Sequence, residues 1–222
     1  GHEKDAPFQR SLDLLPPNGV AIDIGAHVGL WSLLASKRVP SAAIHAFEPV
    51  PEHVARLREH VQVNGANVVV NECAAGAENG SLSFFAVYEG NTGASSLVRR
   101  SPSDVEIRVP AITLDSYVAQ KQIERVDVIK VDVEGAEILV FRGASQLLSR
   151  DDAPAIFFEC DEALTASFGA STPEVKKLLA AYGYRIYRWS GTKFTAVALD
   201  GAHVHEDLFA LKPRHVSQMR IP

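Results

Sequence analysis

The sequence is poor in cysteine, in excess positive charge and in long apolar runs. Two cysteines, Cys73 and Cys160, among 222 residues are too few and too widely spaced for a disulfide framework, so we expect a cytoplasmic protein. The formal net charge of −5 at pH 7 provides no basic surface for nucleic acid or an anionic membrane, and we predict neither as a partner. No apolar run approaches the ~18 residues that span a bilayer, and no secretory signal is recognisable at the start.

The length and composition suit one folded unit. The chain is 46% apolar and 22% charged, and a prior of ~150 residues per domain favours one domain over two. We therefore predict a single domain over residues 1–222. We expect residues 1–18 to form a lead-in whose start, Gly1-His2, is truncated or tag-derived. The oligomeric state does not follow from the sequence.

Apolar runs of strand length alternate along the chain with segments of helical periodicity. The run 20–24, for example, precedes a helical segment in which Leu30, Leu33 and Leu34 form the expected buried face. Strands that alternate with helices indicate parallel pairing, with helices on both faces of the sheet. The sequence therefore predicts a doubly wound α/β fold. Its predicted strands are 20–24, 42–47, 68–73, 126–131 and 155–159, followed by three short ones at 184–188, 194–199 and 208–211.

One segment between the third and fourth predicted strands breaks this rhythm. Residues 81–88 and 105–112 alternate as two extra strands around a polar loop, 89–104, so we predict a β insertion over 80–112. Insertions near the active edge of such a sheet commonly shape a substrate site. The loop carries small amide and hydroxyl groups at Asn91, Ser95 and Ser96, which suit a polyol acceptor. An ordinary polar hairpin is the alternative.

The stretch "VAIDIGAHVG", residues 20–29, ends a predicted strand in a turn. Gly25 and Gly29 allow a tight turn, and the first amides of the next helix face whatever lies there. The carboxylate of Asp23 beside this turn would repel a pyrophosphate and attract an ammonium group. The spacing G-x-x-x-G also lacks the third glycine of the dinucleotide-binding fingerprint G-x-G-x-x-G. Glu48 ends the second strand, where a carboxylate accepts hydrogen bonds from ribose hydroxyls. Together these features favour a nucleoside cofactor without a pyrophosphate over a plain capping turn with a solvated acid.

The stretch "KVDVEGAE", residues 130–137, crowds acids at the end of the fourth strand. Asp132, Glu134 and Glu137 lie within six residues, and Glu159, which ends the fifth strand, and His27 are candidates to join them. Acids at a helix start also stabilise the helix dipole, which is the structural alternative. Like charges raise one another's pKa toward the range of a general base. A divalent metal would also satisfy such a cluster, but no complete ligand set is present and we predict no metal.

These residues, in this order, resemble the FkbM-type family of S-adenosylmethionine-dependent methyltransferases. The resemblance covers about residues 19–190 and is most specific in the acidic stretch. It implies a mostly parallel seven-strand sheet whose last strand is antiparallel. It also implies methyl transfer to a hydroxyl oxygen, often on a sugar or a polyketide-like natural product. The similar segments are "DIGAHVG" (23–29), "FEPVPE" (47–52), "NTGASSL" (91–97), "VPAITLDSY" (109–117), "IKVDVEGAE" (129–137), "FRGASQLL" (141–148) and "IFFEC" (156–160).

The resemblance also implies roles for individual residues. Glu134 is the expected general base or hydroxyl-orienting acceptor, with Asp132 as the second choice, and both would face the transferred methyl. Glu159 joins the three loop residues as an expected substrate contact. His27 stands where asparagine is more usual in the family. The expected residues of the S-adenosylmethionine and S-adenosylhomocysteine site are Asp23, Gly25, His27 and Gly29 around the turn, Glu48 at the ribose, Cys73 and Ala74 at the adenine, and Asp132.

Two other functions remain open on the sequence alone. A nicotinamide-dependent oxidoreductase is possible on the same sheet, although the missing glycine and Asp23 count against it. The other alternative is a domain that binds the cofactor without transferring a methyl group and acts as a partner or regulator. The acids clustered at the strand ends count against it, because such a domain has no need of them. The expected partner is therefore a small hydroxylated acceptor, whose identity the sequence does not give.

Overall fold

The computed structural model describes residues 6–87, 96–99 and 101–218. Helices and strands alternate through most of this range. The strands are β1 (Val20–Ile24), β2 (Ala43–Phe47), β3 (Val68–Asn71), β4 (Ala74–Ala75), β5 (Gly80–Ala86), β6 (Val105–Ile112), β7 (Val128–Val131), β8 (Ala155–Cys160), β9 (Arg185–Trp189), β10 (Phe194–Ala196) and β11 (Glu206–Leu211). The helices are α1 (Ala6–Leu12), α2 (Leu30–Arg38), α3 (Pro51–Asn64), α4 (Leu114–Gln120), α5 (Glu137–Arg142), α6 (Ser145–Ser149), α7 (Glu162–Ala166), α8 (Thr172–Ala181) and α9 (Pro213–Gln218).

In the described ranges, eight strands form the main sheet, in the order β10-β9-β11-β8-β7-β1-β2-β3. The strands from β3 to β8 in this order pair in parallel. β11 is antiparallel to β8 and β9. Strand order reverses at β1, which lies between β2 and β7. The predicted doubly wound α/β class, with an antiparallel last strand, is confirmed.

The sheet has one strand more than the seven that the family resemblance implies. Gly191, at φ 85°, lies between β9 and β10, and β10 pairs antiparallel with β9. The ring of Phe194 in β10 packs against Trp189, with ring centroids 4.8 Å apart, and against Phe209 at 5.1 Å. This aromatic contact stabilises β10 as an added edge strand.

The predicted β insertion forms a second sheet, in the order β4-β6-β5. β5 and β6 pair antiparallel from Gly80 opposite Ala111 to Ala86 opposite Val105. β4 follows β3 directly and pairs in parallel with β6. The insertion is therefore anchored beside the carboxyl end of β3, at the edge of the main sheet where ligands bind in this class of fold.

The core lies on both faces of the central strands, because helices cover both. Ile22, Ile129 and Ile156, in three neighbouring strands, are 0–1% exposed. The expected buried face of α2 is confirmed only in part: Leu33 and Leu34 are half-buried and Leu34 packs against the core. Leu30 is 62% exposed, whereas Trp31, which was not expected in this face, is 2% exposed. The indole Nε1 of Trp31 donates a hydrogen bond of 2.8 Å to Ser11 Oγ in α1, so α1 determines which side of α2 is buried.

Within the described ranges, no helix combines the length and the apolar character needed to cross a membrane.

Candidate functional site

A pocket opens at the carboxyl ends of β1, β2 and β7, where the strand order reverses. This is the place at which doubly wound sheets bind ligands. The insertion contributes Phe84 and Leu97 to its wall. Many of the site residues predicted from the sequence line this pocket, namely Gly25, His27, Glu48, Cys73, Ala74, Asp132 and Glu134.

The glycine turn is pressed against the acidic loop that follows β7. Gly25 has φ 74°, and a Cβ at this residue would lie 1.8 Å from the carbonyl oxygen of Asp132. Only glycine fits this approach. Gly29 is not among the described residues that line the pocket. With φ 92°, it lets α2 begin beside α3, since a Cβ there would lie 2.3 Å from Leu57 Cδ1.

Asp23 is completely buried and lies beneath the pocket, outside its lining. Its Oδ2 accepts a hydrogen bond of 2.7 Å from Ser32 Oγ in α2. Its Oδ1 lies 3.2 Å from the ammonium nitrogen of Lys130. Burial lowers the pKa of Lys130, but Asp23 and Asp132 outweigh this effect and raise it. The ammonium group that the sequence places beside Asp23 is therefore supplied by the protein itself.

Glu48 is held firmly at the end of β2, and it is only 5% exposed. Its Oε2 accepts a hydrogen bond of 2.9 Å from the backbone N–H of His27. Its Oε1 accepts one of 3.0 Å from the backbone N–H of Val50. His27 reaches Glu48 because its backbone is left-handed, at φ 50°. His53 Nδ1 also lies 3.3 Å from Oε1, so Oε2 is the oxygen that keeps a further lone pair with which to accept a ligand hydroxyl.

His53 lines the pocket and was missed by the sequence reasoning. It is 2% exposed, and its Nδ1 lies 3.3 Å from Glu48 Oε1. Its ring meets that of His27 edge to face, with centroids 4.4 Å apart. Burial, and then His53, lower the pKa of His27. Pro51 begins α3 and places His53 in the first helical turn, so a histidine two residues after that proline is the signal that could have identified it.

The loop after β7 places one acid in the pocket and another beneath it. Glu134 lines the pocket with a left-handed backbone at φ 57°, a conformation that costs a non-glycine residue about 1–2 kcal/mol. Glu137 is 2% exposed, and its Oε1 accepts hydrogen bonds of 3.2 Å from the N–H groups of Val133 and Gly135. Burial raises the pKa of Glu137 to about 7. Glu137 thus shapes the loop, whereas Glu134 faces the ligand space.

Glu159 lies at the end of β8, beside the acidic loop but outside the pocket lining. Burial, followed by the charges of Asp132 and Glu134, raises its pKa to about 8. Asp207 of β11 lies opposite Glu159 in the strand register, and burial raises the pKa of Asp207 to about 6. Within the described part of the chain, Glu159 Oε2 is buried and has no hydrogen-bond partner. A neutral Glu159 therefore suits this place better than a charged one.

Replacement of Glu159 by glutamine is expected to flatten the dependence of stability on pH. In the folded protein the pKa of Glu159 is about 8, whereas its ordinary value is 4.5. The contribution of wild-type Glu159 to the free energy of unfolding is therefore fully present below pH 4.5 and is lost as the pH rises toward 8. Glutamine stays neutral throughout. We expect the loss of unfolding free energy between pH 5 and pH 8.5 to be smaller by roughly 4 kcal/mol in the variant. Urea unfolding at both pH values measures this difference, and equal losses would contradict the raised pKa.

The predicted substrate loop falls largely outside the described residues, which include neither Asn91 nor Ser95. Ser96 is 1% exposed. Its backbone bridges to Phe85, and its Oγ donates to the carbonyl of Val98 at 2.8 Å. The hydroxyl of Ser96 therefore holds the loop together, and its neighbour Leu97 lines the pocket.

Cys73 and Ala74 form a mainly apolar part of the wall, next to Phe84. Burial raises the pKa of the Cys73 thiol to about 11, so the thiol is neutral at pH 7. In residues 6–87, 96–99 and 101–218, no group of three or more histidine, cysteine, aspartate or glutamate side chains is arranged to hold a metal ion.

Comparison with known proteins places the chain among methyltransferases. The chain is 30% identical over 165 residues to "Methyltransferase sdnD" of Sordaria araneosa, a match covering 60% of this chain and 62% of that protein. It is 25% identical over 157 residues to "31-O-demethyl-FK506 methyltransferase FkbM" of Streptomyces tacrolimicus, covering 58% of this chain and 60% of that protein. The matches thus span about three fifths of these relatives' lengths.

Among solved structures, an rRNA methylase from Streptococcus thermophilus has the same fold. It superposes with a TM-score of 0.50 at 11% identity, covering 96% of each chain, and this likeness concerns the fold alone. The model of one family, the methyltransferase FkbM domain, matches residues 23–186. That range contains the glycine turn, Glu48 and the acidic loop. The chain belongs to the methyltransferase FkbM domain family.

Proposed function

We propose that the protein transfers a methyl group from S-adenosylmethionine to a hydroxyl oxygen of a small molecule, such as a sugar or a polyketide-like natural product. One observation carries the proposal: the pocket at the reversal of strand order has Glu48 on one wall and Asp132 and Glu134 on the other. The family match supports the reaction class. The 31-O position named for one relative supports oxygen as the acceptor atom.

The residues of the pocket fit the chemistry of this cofactor. The Glu48 carboxylate can accept hydrogen bonds from ribose hydroxyls. Cys73, Ala74 and Phe84 offer a mainly apolar surface to a base. The side chain of Asp132 is 48% exposed and supplies negative charge suited to an ammonium or sulfonium group. A pyrophosphate, in contrast, would meet carboxylates on two walls.

The chain's own task in the reaction is to position the acceptor and to receive its proton. Bound S-adenosylmethionine would supply a methyl group already activated on sulfur. An alcohol is a poor nucleophile at neutral pH, so a placed base speeds the step by ~10²- to 10⁴-fold. Glu134 lines the pocket from the loop after β7. We propose that it is this base, or that its carboxylate accepts a hydrogen bond from the substrate hydroxyl and so orients it.

Glu48→Ala is expected to weaken binding of S-adenosylhomocysteine by about 10- to 100-fold, the value of hydrogen bonds to a charged group. Calorimetric titration measures this change. Because Glu48 also holds the N–H groups of His27 and Val50, Glu48→Gln is measured in parallel as the less disruptive change. Glu52→Ala is the control, since Glu52 is exposed on α3 and pairs with Arg56. Equal affinity in wild type and Glu48→Ala would remove Glu48 from the site.

The titration also separates the proposal from its rivals. Binding of NAD with no binding of either sulfur nucleoside would favour an oxidoreductase. Binding of S-adenosylmethionine without methyl transfer to any hydroxylated acceptor would favour a binding domain that acts as a partner or regulator.

A further inference from the structure

Lys130 is a buried lysine whose ammonium group joins the two segments that border the pocket. It lies in β7 and is 6% exposed. Its Nζ donates a hydrogen bond of 2.9 Å to the carbonyl oxygen of Gly25. It also lies 3.2 Å from Asp23 Oδ1 and 3.3 Å from Asp132 Oδ2. One cation thus contacts the glycine turn, the acid beneath it and the first acid of the loop after β7.

The two segments approach each other closely at this point. The N–H of Asp132 donates to the carbonyl of Ile24 at 3.1 Å, and the space for a Cβ on Gly25 is taken by the carbonyl oxygen of Asp132. Two carboxylates on either side of such a contact repel each other, and a cation between them reverses the sign of the interaction. Lys130 therefore stabilises the segments in contact.

The ammonium group is not itself available to a ligand. The residue is 6% exposed, and its ammonium group donates to the Gly25 carbonyl and pairs with the carboxylates of Asp23 and Asp132, all within 3.3 Å. Its effect on a ligand therefore passes through the groups that it holds. Gly25 and Asp132 line the pocket, whereas Asp23 balances the charge from below.

We propose that Lys130 is a positioning residue, which sets the Gly25 carbonyl and the Asp132 carboxylate in the arrangement that receives the methionine end of the cofactor. This inference rests on the proposed function for the identity of the ligand. The contacts on which it is built involve only the protein.

The test compares variants that keep the buried charge balanced. Lys130→Met alone leaves the carboxylate of Asp23 buried without a cation, which is strongly destabilising. The double variant Asp23→Asn with Lys130→Met removes both charges and keeps an acceptor for Ser32. Lys176→Met is the matched control: Lys176 is also fully buried, and its Nζ donates to the carbonyls of Ala198 and Gly201, away from the pocket.

Titration with S-adenosylhomocysteine is the first readout. We expect the double variant to bind about tenfold more weakly than wild type, the value of one hydrogen bond to a charged group. Thermal unfolding should show that it is more stable than Lys130→Met. Lys176→Met should lose stability and keep wild-type affinity. When Asp132→Asn is present in both proteins, the effect of the double change on affinity should be smaller than in the wild-type background, because one of the two pocket-lining groups that Lys130 holds has lost its charge. The part of the effect that passes through the Gly25 carbonyl should remain.

Hydrogen exchange in the absence of ligand is the second readout. We expect the amides of residues 25–29 and 132–136 to exchange faster in the double variant than in wild type or Lys176→Met. Wild-type affinity in the double variant would overturn the inference. Failure of the wild-type protein to bind S-adenosylhomocysteine would instead overturn the proposed function. In that case the hydrogen exchange of the double variant would decide the positioning role. Exchange as slow as in wild type would overturn that role, and faster exchange would support it.

Discussion

Glu134→Gln is expected to slow methyl transfer to a hydroxylated acceptor by about 10²- to 10⁴-fold, the usual contribution of a placed base. Glutamine preserves the length and shape of the side chain, and it tolerates the left-handed backbone at φ 57° as well as glutamate does. It removes the basicity that receives the hydroxyl proton. Steady-state rates with an acceptor that the wild-type protein methylates measure the effect.

The affinity for S-adenosylhomocysteine is the internal control for this variant, and it should stay within about twofold of wild type if Glu134 acts on the acceptor. Asp132→Asn provides the comparison, because Asp132 lines the same pocket. A wild-type rate in Glu134→Gln would remove Glu134 from the base role. If Asp132→Asn alone lost the rate, the role would pass to Asp132.

Gly25→Ala is expected to destabilise the fold by about 3 kcal/mol or more, because overpacking and a left-handed backbone add at one residue. The added Cβ would lie 1.8 Å from the carbonyl oxygen of Asp132, and a backbone atom cannot rotate away as a side chain can. The glycine turn and the acidic loop must then separate, which removes the pocket between them. Urea unfolding and titration with S-adenosylhomocysteine should show lower stability and no binding.

Gly65→Ala is the matched control for this substitution. Gly65 also has a left-handed backbone, at φ 57°, but a Cβ there would meet nothing within 4 Å. The control should therefore lose only about 1 kcal/mol of stability and bind ligand as wild type does. If Gly25→Ala were as stable as Gly65→Ala and bound ligand equally well, the close approach of the two segments would have no role in the site.

The fold class followed from the sequence because one physical signal governs it. Near-continuous apolar strands with amphipathic helices between them require a parallel sheet covered on both faces. The strand predicted at 194–199 is present as β10 (Phe194–Ala196). Its place as an eighth strand of the main sheet did not follow, because that place depends on the packing of Phe194 against Trp189 and against Phe209, which is distant in the chain. The burial of Trp31 in α2 was missed for a similar reason, since α1 provides its partner.

The convergence of Glu48, Asp132 and Glu134 on one pocket followed from topology, since the ends of parallel strands meet at one edge of a sheet. The surroundings of Asp23 could not be predicted from the topology in this way. Ile22 and Ile24 belong to one side of the core and Ala21 to the other, so alternation along β1 places Asp23 on the Ala21 side, beneath α2. Lys130 is the cation there, and its contacts across β1 and β7 cannot be read from either segment alone.

Calorimetric titration of the wild-type protein with S-adenosylmethionine, S-adenosylhomocysteine, NAD and ATP tests the central claim most directly. The pocket between Glu48 and the acidic loop should bind both sulfur nucleosides saturably. It should bind neither NAD nor ATP, because the linked phosphates of both ligands would meet its carboxylates. Binding of NAD or ATP alone, or no binding of either sulfur nucleoside, would contradict the claim that this pocket receives S-adenosylmethionine.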